Sequence, residues 1–316
     1  MDRKAKSLKL LGGFGILGEA FKIIRCRPKL LGAITLLSIL PLTLINLAQS
    51  LVTPLFLAEM IVSNQTAEQP TMPVLKLMGF LILELVYATF FYAAMMPSMA
   101  AVVYTVANVY RGNHNHSFAR VVRFVPAVWK HMMKTFLWYF IITFMIGMAF
   151  GSSVCFLAAG FIVFGYSYVV VFYVELMAGC VVLFLVSVYV GIVWQMASVL
   201  SIMEERCYGL EGMKKSRRLL EGKGTTAWVL TISYLLINEL IGHIVVKRNF
   251  MHVVGLRLNM TYGIAYVMMA CLLGLLGVLT QSVLYFVCKS YHGESIDGYL
   301  NEYEAVNNKE MESLEA

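Results

Sequence analysis

The sequence predicts an all-α membrane protein, a polytopic transmembrane helix bundle of six spans with interfacial amphipathic helices on the cytosolic side. Three observations predict it. Of 316 residues, 59% are hydrophobic and 14% charged, where soluble domains run at about 45–50% and about 25%. The charges are also segregated, since Glu175 is the single charged side chain from Thr135 to Met203 and Glu84 the single one from Leu77 to Tyr110. Finally, the basic residues collect in alternate loops, which is how a chain marks its cytosolic side. A water-soluble fold of this length could not bury that much apolar surface.

Residues 1–30 read as a basic cytosolic segment containing an interfacial helix. The spans follow at about 31–57, 76–104, 135–158, 172–201, 227–246 and 262–288, each near or above the roughly 20 residues that cross about 30 Å of hydrocarbon. The stretch 135–203 has room for two long helices or three short ones. Its flanking segments are both basic, Arg111–Lys134 and Arg206–Lys223, so an even number of crossings separates them and two spans fit. The transmembrane domain is then 31–288, and 289–316 is an acidic cytosolic tail. Both termini are cytosolic, in the endomembrane system or the plasma membrane. No cleavable signal peptide is expected, because a basic segment leads directly into the first span.

The loops give mixed support. Residues 62–75 carry no Lys or Arg, whereas 247–261 run against the rule with Lys247, Arg248 and Arg257. The sequons at Asn64 and Asn259 fall in lumenal loops and are candidate glycosylation sites; a third, at Asn115, falls in a cytosolic one.

Three basic, amphipathic segments precede spans: Phe21–Arg25, Phe118–Arg123 and Met213–Leu220, beginning 97 and then 95 residues apart. Each mixes cations with apolar residues at helical spacing and can lie in the interface plane. The chain then reads as three units of one interfacial helix and two spans.

The third unit carries a resemblance. Trp194–Glu205, then Tyr208-Gly209-Leu210-Glu211-Gly212-Met213-Lys214-Lys215-Ser216, then Leu219-Leu220-Glu221-Gly222-Lys223 resembles a six-span family of uncharacterised plant transmembrane proteins. It is similar also to bacterial six-span proteins and to the membrane domain of some glycerophosphodiester phosphodiesterases. These share a span ending in an acidic residue, a glycine turn, a short helix with a basic-Ser pair and a Leu…Gly close. The resemblance implies a fold and a membrane location. It implies no activity, because the soluble barrel of the phosphodiesterases is not expected here.

Two sets of candidate site residues emerge. Glu84, Glu175 and Glu239 lie in apolar runs, where a carboxylate must face the interior, pair or be protonated; they define a transport path or a polar core, with Gln49 and Asn46 as companions. Lys214, Lys215, Arg217 and Arg218 are candidate contacts for anionic lipid headgroups, which also suits the net charge of +7. Gly209 and Gly212 can bring the chain out of the long fourth helix. Gly147 and Gly151 form a G-x-x-x-G that lets another helix approach, within the chain or in a dimer. Pro41 and Pro97 should kink their spans.

Other signatures lack context. Gly13–Gly18 spells G-x-G-x-x-G without a parallel-sheet unit around it, and reads instead as a flexible interfacial stretch. His114 and His116 are a weak metal signal, and the six cysteines show no C-x-x-C pairing. No catalytic motif, metal site or cofactor is expected, nor nucleic acid binding. The expected function is non-enzymatic: organising lipids or supporting endomembrane trafficking, with membrane lipids and a protein at the cytosolic face as partners. The alternative is a transporter or channel built on the buried carboxylates.

The topology is directly testable. Tags at either terminus should be accessible from the cytosol and a tag beside Gln65 protected; a protected N-terminus with an accessible tag at 65 reverses the orientation.

Overall fold

The structure is a computed structural model and describes residues 11–66, 71–111, 118–164, 169–204, 207–253 and 260–294. Among these residues the chain is helical almost throughout, with no strand. In order the helices are α1 (Gly13–Cys26), α2 (Pro28–Ile34), α3 (Leu40–Thr66), α4 (Thr71–Arg111), α5 (Phe118–Phe164), α6 (Val169–Met203), α7 (Gly209–Leu220), α8 (Gly224–Val253) and α9 (Met260–Tyr291). Six stretches are long and apolar enough to cross a bilayer: Pro28–Ser50, Met78–Arg111, Val128–Leu157, Val170–Met203, Gly224–His243 and Gly263–Tyr291. This is the six-span, all-helical architecture expected from the hydropathy pattern. Asn259, His114, His116 and residues 295–316 of the acidic tail lie outside the described residues; Asn64 lies in the last turn of α3, its side chain also outside them.

The basic amphipathic segments take two forms. α1 buries Ile16, Ala20 and Ile23 at four- and three-residue spacing and turns Phe14 and Phe21 outward, so the glycine stretch expected to be flexible begins a helix. Arg27-Pro28 ends it, since proline opens the next helix without needing its N–H. α7 is likewise a separate helix. The middle segment is not: α5 runs unbroken from Phe118 into its span, with Pro126 inside it. A lone proline costs the helix a hydrogen bond, but no glycine follows to let the chain turn away.

Pro41 produces a wide turn where a kink was expected. Residues Thr35–Ile39 form a π-helical turn between α2 and α3, in which the Leu40 N–H donates to the Thr35 carbonyl. Proline supplies no N–H for the carbonyl four residues back and crowds it, and one extra residue in the turn relieves both problems. Pro97 is accommodated inside the continuous α4.

The second, fourth and sixth spans share a burial pattern. Each buries its C-terminal half, through Val102, Val103 and Val106 in α4, Ala197, Leu200 and Ile202 in α6, and Leu279, Val283 and Val287 in α9. Their N-terminal halves expose Ile82 and Val86, Val174 and Met177, and Ile264 and Met268. Exposed apolar side chains of that density suit lipid rather than water.

Two compact units divide the chain. One combines Lys130–Ile232 with the segments up to Gly15 and from Leu284 onward; the other combines Ile16–Trp129 with Ser233–Val283. In the first, a Cβ on Gly179 would lie 3.2 Å from the Phe150 ring. In the second, a Cβ on Gly277 would lie 2.9 Å from the Tyr234 ring. The G-x-x-x-G pair does not serve this purpose among the described residues, since added Cβ atoms at Gly147 and Gly151 meet nothing within 4 Å.

Candidate functional site

Within the first unit, the ends of α6 and α9 carry opposite charges that meet. α6 stops at Met203, and the Glu204 carboxylate just beyond it is 2% exposed. α9 carries Lys289 in its last turn, also 2% exposed. Lys289 Nζ donates to Glu204 Oε1 at 3.1 Å. The other carboxylate oxygen, Oε2, accepts from Lys215 Nζ of α7 at 2.7 Å. Tyr285, one turn before Lys289, brings its hydroxyl to 3.4 Å from Glu204 Oε1 and 3.3 Å from Lys289 Nζ. Lys215 also lies 3.8 Å from the Glu294 carboxylate, so the charges alternate in sign along Lys289, Glu204, Lys215 and Glu294.

Backbone geometry delivers each member. Gly293 has φ +73°; its N–H donates to the Ser290 carbonyl and that of Glu294 to the Lys289 carbonyl, the paired closure that ends many helices on a left-handed glycine. That closure folds Glu294 back toward Lys215. α7 is bracketed in the same way. Gly209, at φ +64°, begins it, and Gly222, at φ +86°, follows it. Both conformations disfavour an L side chain, and space forbids one too: a Cβ would lie 3.2 Å from Trp138 at Gly209 and 2.6 Å from the Tyr291 ring at Gly222.

The start of α7 is held by hydroxyls. The Gly209 N–H donates to Thr135 Oγ1 at 2.8 Å, and Thr135 Oγ1 is 2.7 Å from Ser201 Oγ. Beside it Tyr208 stacks on His131, ring centroids 4.6 Å apart, with Lys134 Nζ 4.7 Å from the Tyr208 centroid. At the other end the His292 ring nitrogen Nε2 is 3.2 Å from the Leu219 carbonyl; the carbonyl can only accept, so Nε2 carries the hydrogen. Gly212, Met213, Ser216, Leu219 and Leu220 form the buried face of α7, spaced three and four residues apart as a helix requires.

The electrostatics follow from this packing. Burial on its own would raise the Glu204 carboxyl, but the Lys215 hydrogen bond and the Lys289 ammonium outweigh it and hold the group below the ordinary carboxylate range. Burial would lower Lys215, and Glu204 outweighs it in turn, holding the ammonium above the usual lysine range. The Cys207 thiol is pushed up, by burial first and then by Glu204, which makes it a poor nucleophile at neutral pH.

The residues singled out in the sequence are distributed differently from expectation. Lys214, Arg217 and Arg218 are exposed on α7, whereas Lys215 turns inward to Glu204 and does not join an outward row of four. Glu84 Oε1, in the second unit, accepts from Gln49 Nε2 at 2.7 Å and Thr53 Oγ1 at 2.9 Å, a tie between α3 and α4. Glu239 of the same unit is exposed on α8, and Glu175 of the first unit is exposed on α6; among the described residues neither makes a hydrogen bond or ion pair. The Glu204–Lys289 pair was missed. Its signal was available: two opposite charges, each abutting a long apolar run.

Fold and site together define a six-span, all-helical membrane protein with an amphipathic helix locked across the ends of two spans. The chain matches, over residues 1–315, the family described as a domain of unknown function, DUF8558, and belongs to it. No curated protein and no solved structure matches it.

Removing one partner from a buried ion pair costs about 3–5 kcal/mol, because the other charge is left uncompensated. Glu204→Gln should therefore lower the melting temperature strongly, and adding Lys289→Met should restore part of the loss. With Glu204 lowered, its contribution is present at neutral pH and disappears as the pH falls through its folded value. With Lys215 raised, the alkaline loss begins only above the ordinary lysine range. Thermal melts of wild type, E204Q and E204Q/K289M across this pH span check both points; equal melting temperatures would contradict them.

Proposed function

We propose that the protein organises membrane lipids from the cytosolic face of an endomembrane or the plasma membrane, with α7 as a fixed basic platform for anionic headgroups. The observation that carries this reading is the docking of α7. Its apolar face is buried, Lys215 is clamped by Glu204, and Lys214, Arg217 and Arg218 are held outward on the opposite side. A flexible basic loop would lose conformational freedom on meeting a membrane; a locked helix presents its cations already ordered. The reading is non-enzymatic, and a protein docking at the same face is its natural extension in trafficking.

Transport is less well supported. Glu84 is already engaged by two donors within its own unit, the arrangement of an interhelical tie.

The test is the triple change Lys214→Gln, Arg217→Gln and Arg218→Gln, with Lys215 left in place so that the buried ion cluster survives. Each cation near an anionic surface contributes about 1 kcal/mol. In native-lipid particles analysed by mass spectrometry, the variant should keep its fold and lose most of its enrichment in anionic lipids. Unchanged enrichment would reduce these cations to determinants of topology.

A further inference from the structure

α7 has a charge pattern that the buried ion cluster does not use. Glu211, Lys214 and Arg218 recur at three- and four-residue spacing on α7, which on a helix sets neighbouring Cβ atoms about 5–6 Å apart, and Glu221 follows three residues on, at the helix's C-cap. Opposite charges at that spacing are placed to pair, yet none of the four forms an ion pair with any described residue. All four line an open cleft of about 740 Å³ within the first unit, whose other walls include His292 and the already paired Lys215 and Glu294. The volume falls within the roughly 300–1,000 Å³ of sites that take small ligands.

The mixture of signs selects the ligand class. A purely anionic group drawn to Lys214 and Arg218 would meet Glu211 and Glu221 beside them, and a purely cationic one would meet the reverse. A group that joins a phosphate to an ammonium through a short spacer satisfies both sets together. Primary and quaternary ammonium differ here: the first donates hydrogen bonds to carboxylates, whereas the second is held by aromatic faces, and the cleft offers carboxylates. Its position points to lipid. α7 lies between the end of the fourth apolar stretch and the start of the fifth, and His292 directly follows the sixth, so the cleft stands where a headgroup layer meets the spans. Leu219 adds an apolar patch to its wall.

We infer that this cleft binds the headgroup of an aminophospholipid, with Lys214 and Arg218 on the phosphate and Glu211 and Glu221 on the primary ammonium. The inference rests on the reading of α7 as a lipid platform and adds to it a selectivity that net positive charge alone would not give.

The experiment measures lipids retained by the purified full-length chain, by native mass spectrometry, after equilibration with an equimolar mixture of phosphatidylethanolamine, phosphatidylserine, phosphatidylglycerol and phosphatidylcholine. At equal net charge the amine should decide: wild type should retain phosphatidylserine over phosphatidylglycerol, and phosphatidylethanolamine over phosphatidylcholine. Glu211→Gln with Glu221→Gln, both on exposed positions, should cut that preference roughly fivefold, equivalent to about 1 kcal/mol, while phosphatidylglycerol retention holds or rises. Arg217 does not line the cleft, so Arg217→Gln should lower anionic lipid retention without changing the amine preference. A wild type that retains phosphatidylglycerol as well as phosphatidylserine, or a double Glu variant with unchanged preference, overturns the inference and leaves the platform intact. Failure of the platform itself is read separately, as unaltered anionic enrichment in the triple cation variant. Soluble glycerophosphoethanolamine is the control for source: if it displaces retained lipid at equal concentration, the ligand is a free phosphoamine and the lipid assignment falls.

Discussion

A carboxylate held between two ammonium groups at the ends of two apolar helices is the constraint on which the rest of this region depends. Glu204 and Lys289 each sit flush against a span, and both are withdrawn from solvent. A charge in that position is costly unless paired and hydrogen-bonded. Glu204 meets the condition with both oxygens, one on Lys289 and Tyr285 and the other on Lys215. Because Lys215 belongs to α7, neutralising the two span ends also fixes the short helix between spans four and five.

Much of the local backbone serves that arrangement. The chain must leave α6, turn into α7 beside Trp138 and leave again beside Tyr291, and it does so on left-handed glycines at 209 and 222, where a side chain would collide. Thr135, itself bonded to Ser201, receives the first N–H of α7, one of the donors that a helix start leaves without an internal partner. With its buried face occupied and both ends tied, α7 has one surface left, and that surface carries Lys214, Arg217 and Arg218.

The spans were legible in the sequence because a membrane imposes a length and a polarity that hydropathy reports directly, and the six stretches fall close to where the apolar runs place them. The glycine turn at 209 was legible for a similar reason, since few residues other than glycine tolerate such a backbone. Pairings between distant segments were not. By sequence Lys289 reads as the edge of a tail and Lys215 as one of four outward cations, because nothing local distinguishes a lysine that turns inward from its neighbours; Glu204 lies 11 residues from Lys215 and 85 from Lys289. The middle amphipathic segment has the same mix of cations and apolar residues as the other two, and composition alone does not show that it continues into its span. The other two are cut by Arg27-Pro28 and by Gly222 and Gly224, whereas Phe118–Lys134 contains Pro126 but no glycine, and the helix runs through it.

The central claim is that Glu204 locks α7 in place, and backbone hydrogen exchange over residues 209–220 reads it directly. The account predicts that in Glu204→Gln these amides exchange markedly faster than in wild type, while the buried C-terminal half of α4, in the other unit, keeps its protection. Identical protection of 209–220 in the two proteins would contradict it, for α7 would then be held by its apolar face alone.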